Sequence, residues 1–217
     1  ACRELSIPVV SGNVSFYNEC ESMRVYPTPT IGMVGYAGVN DTIKSEFGVE
    51  EIIYLIGKQI HNDSKIGSSL YQMNCFDFLG GEIDEIDTEL EKNLEKTIFK
   101  LRDKAILNGA IDVSEGGIAG ALLEGLFNAN SGFSGNLITT EDPLVSLFGE
   151  ITGRYIVSTK NENELEKTCL KYNVPILKLG KTNNSNKISF NGYEFNLSDL
   201  KKTYETVIEK DINNVWR

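Results

Sequence analysis

Three short segments carry residue types that could do chemistry. In the first, Ser11-Gly12-Asn13-Val14-Ser15-Phe16-Tyr17-Asn18-Glu19, Gly12 permits a tight turn and close approach of the backbone to a ligand. Asn13 offers a neutral carbonyl oxygen suited to Mg2+ on a nucleotide, and Ser15 offers a hydroxyl to a phosphate oxygen. The same string also reads as a polar loop whose Asn and Ser bond their own backbone. The second segment is Asp112-Val113-Ser114-Glu115-Gly116-Gly117. A strand end, a glycine turn and a helix N-terminus in that order aim N–H groups and the positive end of a helix dipole at an anion, with Asp112 placed to hold a cation or a ribose hydroxyl. The competing reading is that Ser114 merely caps the helix and Glu115 occupies its first turn. In the third, Leu147-Phe148-Gly149-Glu150-Ile151-Thr152-Gly153-Arg154, Glu150 and Arg154 flank a turn and are expected to form a surface ion pair. His61 is the only histidine and reads as a solvated loop residue, with no nucleophile signature near it. There is no P-loop, no dinucleotide-type GxGxxG and no GxSxG elbow.

The elements that must position these groups follow from patterning. Pro8 to Val10 reads as a strand end and Ile31 to Val34 as a strand, with a linker over 36–50. Glu51 to Ile56 is a strong strand closed by Gly57. Ser69 to Phe78 suggests a short helix. Ile86, Leu90, Leu94, Ile98 and Leu101 recur at helical spacing, with Thr88 and Glu91 as a capping box and Asn108-Gly109 as the stop. Ala110 to Val113 is a short strand. The helix that follows buries Ile118, Ala121, Leu122 and Leu126, and Gly120 and Gly125 let it lie close to a sheet. Leu137 to Thr139 is a strand candidate, Pro143 to Phe148 a short helix, Arg154 to Ser158 a strand. Asn161 to Tyr172 is a helix with Leu165, Cys169 and Tyr172 facing in, and Pro175 to Leu179 is a strand. Lys187–Phe190 and Tyr193–Phe195 form a hairpin about Asn191-Gly192. Ser198 caps a last helix burying Leu200, Tyr204, Ile208 and Ile212. Strands alternating with helices predict an α/β (α+β) fold, a mixed β-sheet with packed helices.

The 217 residues, 41% hydrophobic, suffice for one large domain or one domain plus a fragment. A net charge of −10 disfavours nucleic acid and anionic membranes as partners, and no apolar run approaches the ~20 residues of a membrane helix. Cys2, Cys20, Cys75 and Cys169 have no zinc spacing and read as reduced thiols of a cytoplasmic protein. Residues 1–5 read as the tail of an amphipathic helix, so the chain is expected to begin inside a fold.

Together the segments resemble the PurL family, the ATP-dependent phosphoribosylformylglycinamidine synthases. The resemblance rests on IPVVSGNVSFYNE followed by YPTPTIGMVG, on IDVSEGGIAGALLE, on the long helix before it and on a closing helix ending in Val215-Trp216. It covers essentially the whole chain. The first motif is specific to the family, and the second is shared with the wider PurM-like (AIR synthase) superfamily.

The resemblance implies that residues 1–40 are the C-terminal piece of a second PurM N-terminal-like domain and that 41–217 are a second AIR synthase C-terminal-like domain. It implies conversion of formylglycinamide ribonucleotide, with ATP and ammonia, to formylglycinamidine ribonucleotide. The implied cofactors are ATP and Mg2+. The implied partners are the remaining PurL domains and, in a synthase complex, PurS and the glutaminase subunit PurQ. Matched motif to motif, Gly12 would touch ATP, Asn13 would ligate Mg2+ and Ser15 would contact the substrate. Asp112, Ser114, Gly116 and Gly117 would form an auxiliary nucleotide site. The family's catalytic histidine, ATP-binding lysine and carboxylate metal ligands match nothing here, so the isolated chain is expected to be inactive. Two departures stand out: Glu150-Ile151-Thr152 where Glu-Ser-Gln is frequent, and Ile111 where His is frequent. The alternative is a non-catalytic nucleotide-binding or assembly module of the same superfamily.

Overall fold

The computed structural model describes residues 2–15, 19–21, 23–24, 28–39, 41–60, 67–83 and 85–215, the side chains of 20, 23 and 208–215 excepted. Two compact units divide it, Ala1–Thr42 and Ile43–Arg217.

The first unit holds one antiparallel pair, β1 (Glu19–Cys20) with β2 (Met23–Arg24). Residues 2–6 form a turn, closed by the Ile7 N–H on the Cys2 carbonyl, rather than a helix tail. The strands expected at Pro8–Val10 and Ile31–Val34 do not form, and Val10 and Val34 are fully exposed. Apolar alternation makes a strand only where a neighbour takes up the backbone N–H and C=O groups. Phe16–Asn18, Tyr26, Pro27, His61 and Trp216 lie outside the described residues, as do the side chains of Ile208 and Ile212.

In the second unit the elements run β3 (Ile52–Gly57), α1 (Leu70–Phe76), α2 (Thr88–Asp103), β4 (Leu107–Asp112), α3 (Gly117–Ala129), β5 (Gly132–Gly135), α4 (Pro143–Phe148), β6 (Arg154–Thr159), α5 (Glu162–Lys171), β7 (Ile176–Asn183), β8 (Lys187–Phe190), β9 (Tyr193–Asn196) and α6 (Leu197–Val215). Seven strands form one mixed sheet in the order β4-β6-β3-β7-β5-β8-β9. Its pairs are antiparallel except β5 with β8. The fold class is the one the sequence predicts.

Strand β3 shows how the layers arise. Ile53 and Leu55 point to one face, where they join Ile118, Leu122 and Leu126 of α3. Tyr54 and Ile56 point to the other, with Leu94 and Leu101 of α2 and Leu165 and Cys169 of α5. A strand covered on both faces reads as a continuous apolar run instead of alternating.

Several local details differ from the sequence reading. Asp87, not Thr88, caps α2, its carboxylate accepting from Glu89 N and Leu90 N. The helix ends at Asp103 with Lys104 as its C-cap, and Ala105 just beyond takes a left-handed φ of 53°, whereas Asn108-Gly109 lies inside β4. Leu137–Thr139 is not a strand: the Asn191 side chain takes up the Leu137 and Ile138 N–H groups, leaving no ladder to join. At α6 the capping acceptor is Asn196, which receives Ser198 N and Asp199 N, and Tyr204 is exposed beside Phe127 instead of buried. The glycines of α3 serve other neighbours than the sheet. A Cβ on Gly125 would stand 2.3 Å from the Phe47 ring, one on Gly117 2.7 Å from the Leu147 carbonyl, and one on Gly120 2.7 Å from the Glu115 carbonyl.

Candidate functional site

Within the second unit, a cleft of about 650 Å3 opens where the end of β4 and the start of β6 meet the α1–α2 connection. Asp112 and Ser114 line it, as do Glu91, Glu115, Glu150, Arg154 and Tyr155, with Ile83 and Ile86 as its apolar part. The β4–β6 register brings Asp112 opposite Tyr155. Gly116 and Gly117 shape the turn into α3 and are not lining residues.

The glycine turn is built as the sequence requires. Gly116 is the N-cap of α3 at φ 77° and Gly117 follows at φ 63°, conformations that cost an L residue about 1–2 kcal/mol. Ser114 does not cap: the helix has no side-chain cap from its N-cap residue, and the Ser114 backbone carbonyl receives Gly117 N.

Glu150 takes the place expected of a bound anion or of a Ser114 cap. Its Oε1 accepts the Gly116 N–H at 2.9 Å and the Leu70 N–H at 3.0 Å. One carboxylate therefore meets the N-terminal ends of α3 and α1, where it offsets the partial positive charge of both. The anion expected at α3 is the protein's own. The surface ion pair expected of Glu150 and Arg154 is corrected too: Arg154 is 2% exposed and donates through Nη2 to the Gly149 carbonyl, which sets the turn before β6.

Four carboxylates, Glu91, Asp112, Glu115 and Glu150, against one guanidinium, Arg154, make the lining of the cleft acidic. Burial, then the nearby Asp87, raises the Glu91 carboxyl above its ordinary range. Burial, then Asp112, Glu91 and Glu95, raises the Tyr155 hydroxyl. Added negative charge is thus disfavoured there. Among the described residues no three His, Cys, Asp or Glu side chains converge closely enough to hold a metal ion. These carboxylates surround a space without closing on a point. They suit a cation that bridges to a phosphate better than a bare phosphate.

Gly12, Asn13 and Ser15 lie in the first unit, on an exposed stretch without regular structure. A Cβ on Gly12 would meet no heavy atom within 4 Å, so its backbone is open to approach. These hard oxygen donors fit a Mg2+-bearing phosphate in kind. Glu91, Tyr155 and the Ile83–Ile86 wall were not foreseen as site residues, since only tertiary contacts bring α2 and β6 to the end of β4.

No family model matches the chain. The PurL subunit of phosphoribosylformylglycinamidine synthase from Petrotoga mobilis is 38% identical over 217 residues, 98% of this chain and 29% of that protein. The same subunit from Thermoanaerobacter pseudethanolicus is 39% identical over 184 residues, 83% of this chain and 25% of that protein. The chain thus spans under a third of the length of these curated relatives. Among solved structures, Thermotoga maritima PurL complexed with FGAR superposes with a TM-score of 0.63 at 17% identity, covering 75% of this chain and 30% of that one. The same protein complexed with ATP gives 0.60 at 15%, covering 75% and 28%. At these identities the superpositions show a shared fold.

Proposed function

The chain belongs with PurL, matching a C-terminal portion of it, and on that premise we propose that it forms part of a phosphoribosylformylglycinamidine synthase. That enzyme converts formylglycinamide ribonucleotide, ATP and ammonia to formylglycinamidine ribonucleotide, ADP and phosphate. The observation that carries the proposal is 38% identity sustained over 98% of the chain. Residues 1–40 are a piece of a PurM N-terminal-like domain and 41–217 an AIR synthase C-terminal-like domain. Asn13 ligates Mg2+, Gly12 lies against ATP and Ser15 contacts the substrate, which fits their exposure on an open stretch of backbone. When bound, the metal would supply positive charge against the transferring phosphoryl group. The remaining PurL domains, PurS and the glutaminase PurQ complete the assembly, consistent with a solved PurLQS structure from Thermotoga maritima. Among the described residues no helix is long and apolar enough to cross a membrane, and the enzyme acts in the cytoplasm.

An ammonia-dependent ADP-release assay tests the reading. The purified chain alone gives no turnover, and the chain assembled with the missing synthase parts does. An assembled protein that releases no ADP with formylglycinamide ribonucleotide and ammonia overturns it. In that assembly Asn13→Ala loses Mg2+-dependent ATP binding.

A second reading concerns the cleft. Asp112 and Ser114 line it, which favours an auxiliary nucleotide site there, with Gly116 and Gly117 forming its turn. Because Glu150 already meets the Gly116 N–H, such a nucleotide would be held through a cation on Asp112. Equilibrium ATP binding that depends on Mg2+ and falls in Asp112→Asn supports it, and binding unchanged by that substitution removes it.

A further inference from the structure

We infer that the segment from Met73 to Ile86 is a docking surface for another part of the larger protein, one with an apolar centre and a rim of lysine and arginine. The inference rests on the reading above that the chain works inside a larger synthase. Helix α1 has no buried residue. Its inner side is fixed, because Tyr71 stacks on Phe148 at 5.0 Å and the Leu70 N–H is bound by Glu150. Its outer side carries Met73 and Phe76, and the chain beyond adds Phe78, Leu79, Ile83 and Ile86. These six large apolar side chains are 42–76% exposed. Scattered exposed apolar residues are ordinary, but an apolar concentration of this kind marks an interaction surface.

The segment is held in shape. Ser68 N–H donates to the Gly80 carbonyl at 2.8 Å. Gly81 has a φ of 99°, and a Cβ on Gly67 would stand 2.5 Å from the Glu82 carbonyl, so the two backbones are in close contact. Residues 78–82 are therefore presented on a cornered loop, which lowers the ordering cost of binding.

Charge selects the occupant. From Gly67 to Glu91 the sequence has seven carboxylates, the first Asp77 and the last Glu91, and no Lys or Arg. A second copy of the chain would bring the same acidic rim against itself, and anionic lipid or nucleic acid would be repelled. A protein face rimmed with basic groups is attracted, and its apolar centre gains the burial that α1 lacks.

Hydroxyl-radical footprinting read by mass spectrometry tests this on the assembled synthase and on the free chain. Oxidation of Met73, Phe76 and Phe78 falls severalfold on assembly. The paired substitution Glu82→Lys, Glu85→Lys weakens assembly, and high salt narrows the difference from wild type. Phe76→Ser weakens assembly while leaving the circular dichroism of the free chain unchanged, since the Phe76 side chain is itself 62% exposed and the Tyr71–Phe148 stack and the Glu150 bond still hold the helix. Equal oxidation in an intact assembly overturns the inference. So does protection in the free chain through self-association, read by sedimentation velocity. If no assembly forms at all, the proposed function falls with it.

Discussion

Glu150 is the residue on which the local structure turns. It receives two backbone N–H groups from two helices, so removing it leaves both without that acceptor. Glu150→Ala is expected to lower stability by about 1–3 kcal/mol in urea titrations, and Glu150→Gln, which keeps an acceptor, by less. The alanine variant also exposes the α3 N-terminus, so inorganic phosphate should raise its Tm more than that of the wild type. The sequence shows Glu150 only as an acid before a turn. Its partners lie 80 and 34 residues away, and no spacing rule reaches that far. The DVSEGG turn, by contrast, is legible because glycine is required at both positive-φ positions. A second residue-scale case is Tyr54, whose hydroxyl lies 2.7 Å from Glu162 Oε2 and 2.8 Å from Glu166 Oε1. One hydroxyl proton serves two carboxylates. The Lys178 ammonium, then Tyr54, holds the Glu162 carboxyl below its ordinary range. A lowered carboxylate pKa adds stability above the unfolded value and loses it as pH falls through the folded value. Glu162→Gln should therefore flatten the acid limb of a stability-versus-pH curve, with a modest effect because the side chain is 38% exposed.

At the scale of elements, α3 is the most constrained piece. It is apolar on much of its surface and carries Phe47 against Gly125, with Phe47 N–H on the Gly125 carbonyl and Ser131 Oγ on the Phe47 carbonyl. Gly125→Ala forces a methyl into a fully buried ring and should cost about 1–3 kcal/mol by chemical denaturation. Gly192→Ala meets open space but sits at φ 86°, so only its backbone strain, about 1 kcal/mol, should appear. Helices α2 and α5 and the β8–β9 hairpin were legible because each rests on local period or turn chemistry. Ends were not: Asp87 and Asn196 compete with Thr88 and Ser198 for the caps, and all four are side chains that cap a helix well. The glycines of α3 are legible as close-approach positions, but the sheet expected as their neighbour is not what Gly120 and Gly125 meet: they meet the Glu115 carbonyl and the Phe47 ring.

For the molecule as a whole, the sheet and its two helical faces follow from patterning, while much of the functional surface does not. The first unit carries Gly12, Asn13 and Ser15 yet leaves Val10 and Val34 in solvent, because apolar alternation states a need for neighbours without naming them. The cleft sums contributions from α2, β4 and β6 and the loops between, and its net acidity is visible only once they are assembled. Burial raises the Glu91 carboxyl, so its contribution runs opposite to that of Glu162: stability is greater below the unfolded pKa and is lost as pH rises through the folded one. Glu91→Gln should raise the neutral-pH Tm slightly and leave the acid limb intact, as calorimetry would show.

The strand order has a consequence in time. β3 is the first strand of the large sheet to be made, yet its two neighbours, β6 and β7, come about a hundred residues later, and Thr182 Oγ1 bonds Glu51 N across 131 positions. While the ribosome is still extending the chain, the most apolar strand waits with both edges open. It cannot be enclosed until β7 has emerged, so its protection in the growing polypeptide falls to holding factors or to the speed of translation.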